Sequence, residues 1–156
     1  MSVGPAGACL RAMTSVDLKA VLAIEEICQS TPWSPGNFRD CLHSGYQCQV
    51  AAVDGEPVAF MVLSSVLDET HLLNIAVAPA WQRRGLARWM LTEALTDAVS
   101  SGITVMYLEV RASNIHAQRL YQQLGFQEAG RRRHYYRAPE GREDAVLMWA
   151  ELAPHK

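Results

Sequence analysis

Leu73-Asn74-Ile75-Ala76-Val77, then Pro79, then Gln82-Arg83-Arg84-Gly85-Leu86-Ala87 form the stretch on which the fold turns. The first five residues are a β-rich apolar run that Pro79 ends, while Leu86, Trp89, Met90, Ala94, Leu95 and Ala98 fall three and four apart, as one face of a helix does. A strand that feeds a glycine-bearing turn onto a helix start aims backbone N–H groups and the positive dipole end at one point. That geometry suits a pyrophosphate. Gly85 permits close approach of a ligand to the backbone. The hexamer alone also occurs in purely structural turns, so its weight comes from its place between a strand and a long amphipathic helix. It is not a nucleotide P-loop, because the Gly-Lys-Ser/Thr ending is missing.

Upstream, Thr14 and Asp17 have the spacing of a capping box with Asp in the Glu position, and Leu18, Val21, Leu22 and Glu25 follow helical spacing. A second, short helix is expected after Ser34 as N-cap and Pro35 in the first turn, with Trp33 and Phe38 as a hydrophobic staple. Residues 50–53, the turn Asp54-Gly55, residues 58–66 and residues 72–77 read as an antiparallel meander. Downstream, Gly102 closes the helix expected over 85–100, and 105–110 is a buried strand. Asn114 caps a helix with Ala117, Leu120, Tyr121 and Leu124 inside, and Gly125 stops it. Two β segments, 126–136 and 145–152, are joined by Pro139-Glu140-Gly141. The order α-α-β-β-β-α-β-α-β-β, without repeat or linker, predicts an α/β (α+β mixed) domain around a single mixed sheet.

At 156 residues the chain is expected to be one domain over 10–153, after a flexible N-terminal extension over 1–9 that adds nothing. With 49% hydrophobic and 19% charged residues it is neither disordered nor a coiled coil. The formal charge of −2 gives no basic field for holding a nucleic acid, so no direct nucleic-acid partner is expected. Arg131-Arg132-Arg133 alternates faces without an aromatic ladder and reads as a solvated or ion-paired face. Charge is nonetheless uneven: residues 11–70 carry three cationic and eight acidic side chains, and residues 111–142 carry seven and two. Cys9, Cys28, Cys41 and Cys48 include no CxxC pair and lack a zinc spacing, and His71, His116 and His134 stand alone, so no metal is expected and the thiols read as reduced and structural. Neither a signal peptide nor an apolar run of about 18 residues is present; a cytoplasmic protein without a membrane partner is expected, as a monomer.

The turn Gln82 to Ala87 resembles the Q/R-x-x-G-x-G/A signature of the GNAT superfamily of acetyl-CoA-dependent N-acetyltransferases. The resemblance extends over nearly the whole chain. Pro32-Trp33-Ser34, Asn74-Ile75-Ala76-Val77, Leu108-Glu109-Val110-Arg111-Ala112-Ser113-Asn114, Leu120-Tyr121 with Leu124-Gly125-Phe126, Tyr135-Tyr136 and Gly141-Arg142-Glu143-Asp144-Ala145 together are similar to the RimI branch, the bacterial ribosomal-protein-alanine N-acetyltransferases. One departure is Ala87, where many members carry Gly; the pattern allows it.

The resemblance implies a GNAT fold, a mostly antiparallel sheet flanked by about four helices, with acetyl-CoA as co-substrate. It also implies that the backbone of Ile75, Ala76 and Val77 pairs with the pantetheine arm, that Arg83, Arg84, Gly85, Leu86, Ala87 and Arg88 surround the pyrophosphate, and that Asn114 contacts the cofactor. Glu109 matches the general base and Tyr121 the general acid, with a ribosomal protein N-terminus, the alanine of small-subunit protein eighteen, as substrate. Judged without the family, Glu109 is a strand-end carboxylate paired with Arg111, Tyr121 is core packing, and Asn114 is an N-cap. Two other functions stay open: a GNAT enzyme for another N-terminus, a lysine or a small amine, and a non-catalytic acyl-CoA sensor, against which the presence of both Glu109 and Tyr121 speaks.

Overall fold

A computed structural model describes residues 3–152; residues 1 and 2 of the expected extension and residue 153 at the expected domain end lie outside the described residues. The elements are β1 Cys9–Ala12, α1 Leu18–Cys28, α2 Pro35–His43, β2 Gln47–Val53, β3 Glu56–Val66, β4 Glu69–Val77, α3 Leu86–Ser100, β5 Val105–Arg111, α4 Ile115–Gln123, β6 Gln127–Ala138 and β7 Gly141–Glu151. The strands form one seven-stranded mixed sheet in the order β1-β2-β3-β4-β5-β7-β6. β4 and β5 run parallel, and the connection between them contains α3, as the crossover of a parallel pair requires. Pairings β1–β2, β2–β3, β5–β7 and β6–β7 are antiparallel. The expected mixed sheet and four helices are therefore present. Two compact units are distinguished, one running to Ser64 and resuming over Leu73–Glu93, the other combining Ser65–Leu72 with the chain from Ala94 onward.

In the first unit, Ser34 Oγ accepts the Asn37 amide at 3.2 Å, and the Trp33 and Phe38 rings lie 5.1 Å apart. Cap and staple thus fix how the chain enters α2. Phe38 is fully buried, edge-on to Phe60 of β3 at 5.5 Å, and joins Val21, Ile24, Val50 and Val62 in one core. Asp54 and Gly55, at φ +50° and +82°, make the tight turn of the β2–β3 hairpin. Ahead of α1 the Thr14 amide donates to the Asp17 carboxylate at 2.9 Å, and Arg11 donates to it twice at 2.8 Å. The Arg11 bonds hold the Asp17 carboxyl below its ordinary range, against the opposing effect of burial.

Strand β1 is not legible beforehand, because four residues are too few to show a period of two. It pairs in register from Cys9 with Ala52 to Ala12 with Gln49. Residues 3–9, read from the sequence as an extension, carry specific contacts: Val3 bridges Cys9, the Gly4 amide donates to the Ala8 carbonyl at 2.8 Å, and Ala8 is fully buried. Gly4 lies against the Trp89 indole, where an added Cβ would meet ring carbons at 2.5 Å.

In the second unit, Asn114 Oδ1 accepts the Ala117 amide at 3.1 Å, and Gly125 at φ +100° ends α4. Alternate residues of the paired strands β5 and β7 are buried: Met106, Leu108 and Val110 on one, Val146 and Met148 on the other. β7 starts at Gly141, four residues earlier than expected, since Ala138 already pairs with Gly141 across the turn. β6 shifts register twice, and His134 stands at φ +53° with its amide on the Asp144 carboxylate at 3.1 Å. Arg131, Arg132 and Arg133 on this broken strand are exposed; Arg131 lies 3.6 Å from Glu128, and Arg132 lies over the Tyr135 ring.

Because the folded pKa of Asp17 is lowered, its contribution to stability is present above the unfolded value of about 3.9 and is lost as pH falls through the folded one. Asp17→Asn should therefore melt below the parent protein at pH 7, and the two melting curves should converge as the pH is taken below about 4.

Candidate active site

The last residues of β4 are held from several sides. The Val77 carbonyl accepts from Gln82 Nε2 at 2.9 Å and from the Cys28 thiol at 3.3 Å, and the next amide, of Ala78, donates to the Val58 carbonyl at 2.8 Å. Ala76 and Val77 are buried and Ile75 half-buried, so what this stretch can offer a ligand is chiefly backbone. Gln82, read from sequence only as the first letter of a signature, is the residue that ties the turn back to the strand.

Beyond Gln82 the chain passes through Arg83 at φ +63° and Gly85 at φ +82°. The first bond of α3 runs from the Trp89 amide to the Gly85 carbonyl at 3.0 Å, so the amides of Gly85, Leu86 and Ala87 precede the helical ladder and point along the axis. Arg83, Arg84 and Arg88 are exposed around this start, with the Arg84 guanidinium over the Trp81 ring at 4.8 Å. Leu86 is buried, which anchors the first turn in the protein and leaves its amide as its contribution; Ala87 is half-buried. Three guanidinium groups about a helix start led by a glycine in the left-handed region are the donor set a diphosphate needs.

In the second unit Glu109 is half-buried on β5, in register with Leu147 of β7. Tyr121 is buried on α4, edge to face with Phe126 at 5.8 Å between centroids. Burial, with Tyr136 adding to it, pushes the Tyr121 hydroxyl up to about 12. Tyr136 is itself pushed up to about 12, first by burial and then by the Glu109 charge. Tyr136 thus responds to the Glu109 charge and adds in turn to the upward push on Tyr121. Tyr136 also carries the Arg111 guanidinium over its ring at 4.6 Å, and Arg111 donates to Glu143 at 2.9 Å and to the Arg137 carbonyl at 2.6 Å. The bond from Arg111 holds the Glu143 carboxyl below its ordinary range. Tyr136 and Glu143 are visible in the sequence only as parts of family-like motifs, with no role attached, and Arg111, read from the sequence as a partner for Glu109, is bonded here to Glu143. Asn114 uses its carbonyl oxygen as a cap, so contact with a ligand through its amide nitrogen would involve a different atom.

Residues 18–126 match the model of the acetyltransferase (GNAT) family. The chain belongs to that family. Among GNAT proteins it is similar to the [ribosomal protein bS18]-alanine N-acetyltransferase of Escherichia coli strain K12, with 40% identity over 139 residues, 89% of this chain and 94% of the relative. The enzyme of the same name from Haemophilus influenzae is 33% identical over 133 residues, 85% and 90% of the two chains. The crystal structure of the ribosomal-protein-S18-alanine N-acetyltransferase from Escherichia coli superposes with a TM-score of 0.90 at 37% identity, over 96% of each chain.

Gly85→Val places a β-branched residue at φ +82°, where it must either strain or shift the turn. Acetyl-CoA at about a hundred times its dissociation constant should stabilise the parent protein by about 2.7 kcal/mol, read from its melting curve, and should raise the Gly85→Val protein's melting temperature far less.

Proposed function

We propose that this GNAT protein transfers the acetyl group of acetyl-CoA to the free α-amino group of a protein, the N-terminal alanine of ribosomal protein bS18. The observation that carries this reading is the likeness, along nearly the whole chain, to enzymes named for that reaction. Support from this chain's own residues comes unit by unit.

When bound, acetyl-CoA supplies an activated thioester. Ile75, Ala76 and Val77 would hold its pantetheine arm through their backbone, while Arg83, Arg84 and Arg88, with the amides of Gly85, Leu86 and Ala87, would hold the pyrophosphate. Asn114 would add a further contact. The Val77 N–H would donate to the acetyl oxygen as charge develops there. Glu109 would take the amine proton through water as the C–N bond forms. Tyr121 would donate to the sulfur as the C–S bond breaks and finally give it the proton. A hydroxyl at about 12 stays protonated at neutral pH, as a donor must. We take the protein to act as a monomer. We place the reaction in the cytoplasm; among the described residues no helix is long and apolar enough to cross a membrane.

The choice of amine follows from magnitudes. An α-amino group titrates about 2.5 units below a lysine, which makes deprotonation near neutral pH easier by about 3.5 kcal/mol, and a carboxylate base then suffices. Of the acidic residues among 11–70, Asp17 and Glu25 are buried and cannot meet a substrate. Glu26 of α1 and Asp40 of α2 are exposed on the two helices that flank the 29–34 connection, and they are the carboxylates we assign to an arginine-rich N-terminus.

A peptide beginning Ala-Arg should outcompete one whose only amine is an internal lysine, with a preference that shrinks in high salt and in Glu26→Gln/Asp40→Asn. Equal acetylation of both peptides, followed by mass spectrometry, would point to another amine; binding of acetyl-CoA without turnover would point to a sensor. Glu109→Gln should slow the reaction most below the pKa of the amine and recover in part at alkaline pH, whereas Tyr121→Phe should show no such recovery. Parental rates from pH 6 to 9 in Glu109→Gln would remove it from the base role.

A further inference from the structure

Asn74 and the Pro32-Trp33-Ser34 stretch belong to the family-like pattern, yet the proposed reaction gives them no task. One carboxylate joins them. Glu25 of α1 is only 1% exposed. Its Oε2 accepts the Trp33 amide at 2.9 Å, and both its oxygens accept from Asn74 Nδ2 at 3.1 Å. Asn74 Oδ1 in turn accepts from Gln29 Nε2 at 3.2 Å. A carboxylate only accepts, so Glu25 dictates which way the Asn74 amide faces and leaves its oxygen for Gln29.

α1 ends at Cys28 and α2 begins at Pro35, so the connection over 29–34 is tied at its start, by Gln29, and near its end, by Trp33, to a pair of side chains that includes the residue immediately before Ile75. The Cys28 thiol sits on the Val77 carbonyl at 3.3 Å, which puts the start of the connection beside the backbone assigned to the acetyl oxygen. On the acetyltransferase reading, a segment so placed would flank the path of an amine toward the acetyl carbon. Burying a carboxylate is costly, and burial raises its pKa here against the pull of the Trp33 and Asn74 bonds, so an apolar residue would serve plain packing better.

We propose that Glu25 is a positioning residue for the amine substrate: with Asn74 it locks the 29–34 connection onto β4 and so sets how tightly the peptide N-terminus is held, while acetyl-CoA depends on other groups. The inference rests on the acetyltransferase reading above. Glu25→Gln keeps the shape but turns an NH2 group toward either the Asn74 NH2 or the Trp33 N–H, so the present arrangement of donors and acceptors is lost and can be remade only if the Asn74 and Gln29 amides both turn over. Glu25→Gln combined with Asn74→Asp restores the pattern: the new amide at position 25 donates to the new carboxylate at position 74 and accepts from the Trp33 N–H, and Gln29 still donates to position 74.

Steady-state kinetics with an Ala-Arg peptide, together with direct titration of CoA, test this. Glu25→Gln should raise the peptide KM about tenfold, as loss of one buried hydrogen bond does, while the acetyl-CoA KM and the CoA dissociation constant stay within about twofold. The double variant should bring the peptide KM back to within about threefold of the parent. An unchanged peptide KM in Glu25→Gln, an equal rise for both substrates, or a double variant that regains its melting temperature without regaining peptide KM would overturn the proposal. A parent enzyme that acetylates no amine would remove the reading beneath it, and the proposal with it.

Discussion

The fixed end of β4 is the constraint on which the rest depends. Backbone can hold a ligand by hydrogen bonds only if it does not move to meet it, and the peptide after Val77 is gripped by Cys28, Gln82 and Val58 at once. Just before it in the chain, Ala76 and Asn74 alternate with Ile75 into the buried side, Ala76 within the apolar core and Asn74 on the buried carboxylate of Glu25. The strand end is therefore held by packing, by the Cys28 thiol of α1 and by the first residue of the turn that follows, while the Asn74–Glu25 bonds fasten the 29–34 connection to it. That turn needs both Arg83 and Gly85 in the left-handed region in order to swing the chain into α3.

Local chemistry made most of the fold readable. Ser34, Pro35, Trp33 and Phe38 specify a helix start through a cap and a staple that involve neighbours only, and the structure forms both. Asn114 and Gly125 bracket α4 for the same reason. β1 is not legible in the sequence because it is a four-residue edge strand whose partner, β2, lies some forty residues away; neither periodicity nor turn chemistry marks it. The early start of β7 has a similar origin, since the pairing of Gly141 with Ala138 is set by the hairpin and not by the polar residues 141–144.

The site was legible to a different degree. Glu109 and Tyr121 carry a role only through family resemblance, because their local patterns admit an ion-paired strand end and a core tyrosine, whereas the Gly85 turn is readable from its place between a strand and an amphipathic helix. What resemblance does not supply is the stacking of Arg111 on Tyr136 and its bond to Glu143, or the burial of Asp17 and Glu25 that takes them out of the acidic surface. Those are tertiary facts. Counting charges along the chain cannot separate a carboxylate spent on holding a helix from one left to face a substrate.

Amide hydrogen exchange, followed residue by residue with and without acetyl-CoA, tests the central claim most directly. If the end of β4 and the start of α3 hold the cofactor through their backbone, amides over 75–77 and 85–88 should slow markedly on addition of acetyl-CoA, while those of the β1–β2 pair keep their rates. Unaltered exchange over 75–88 at saturating acetyl-CoA, or slowing confined to other strands, would contradict it.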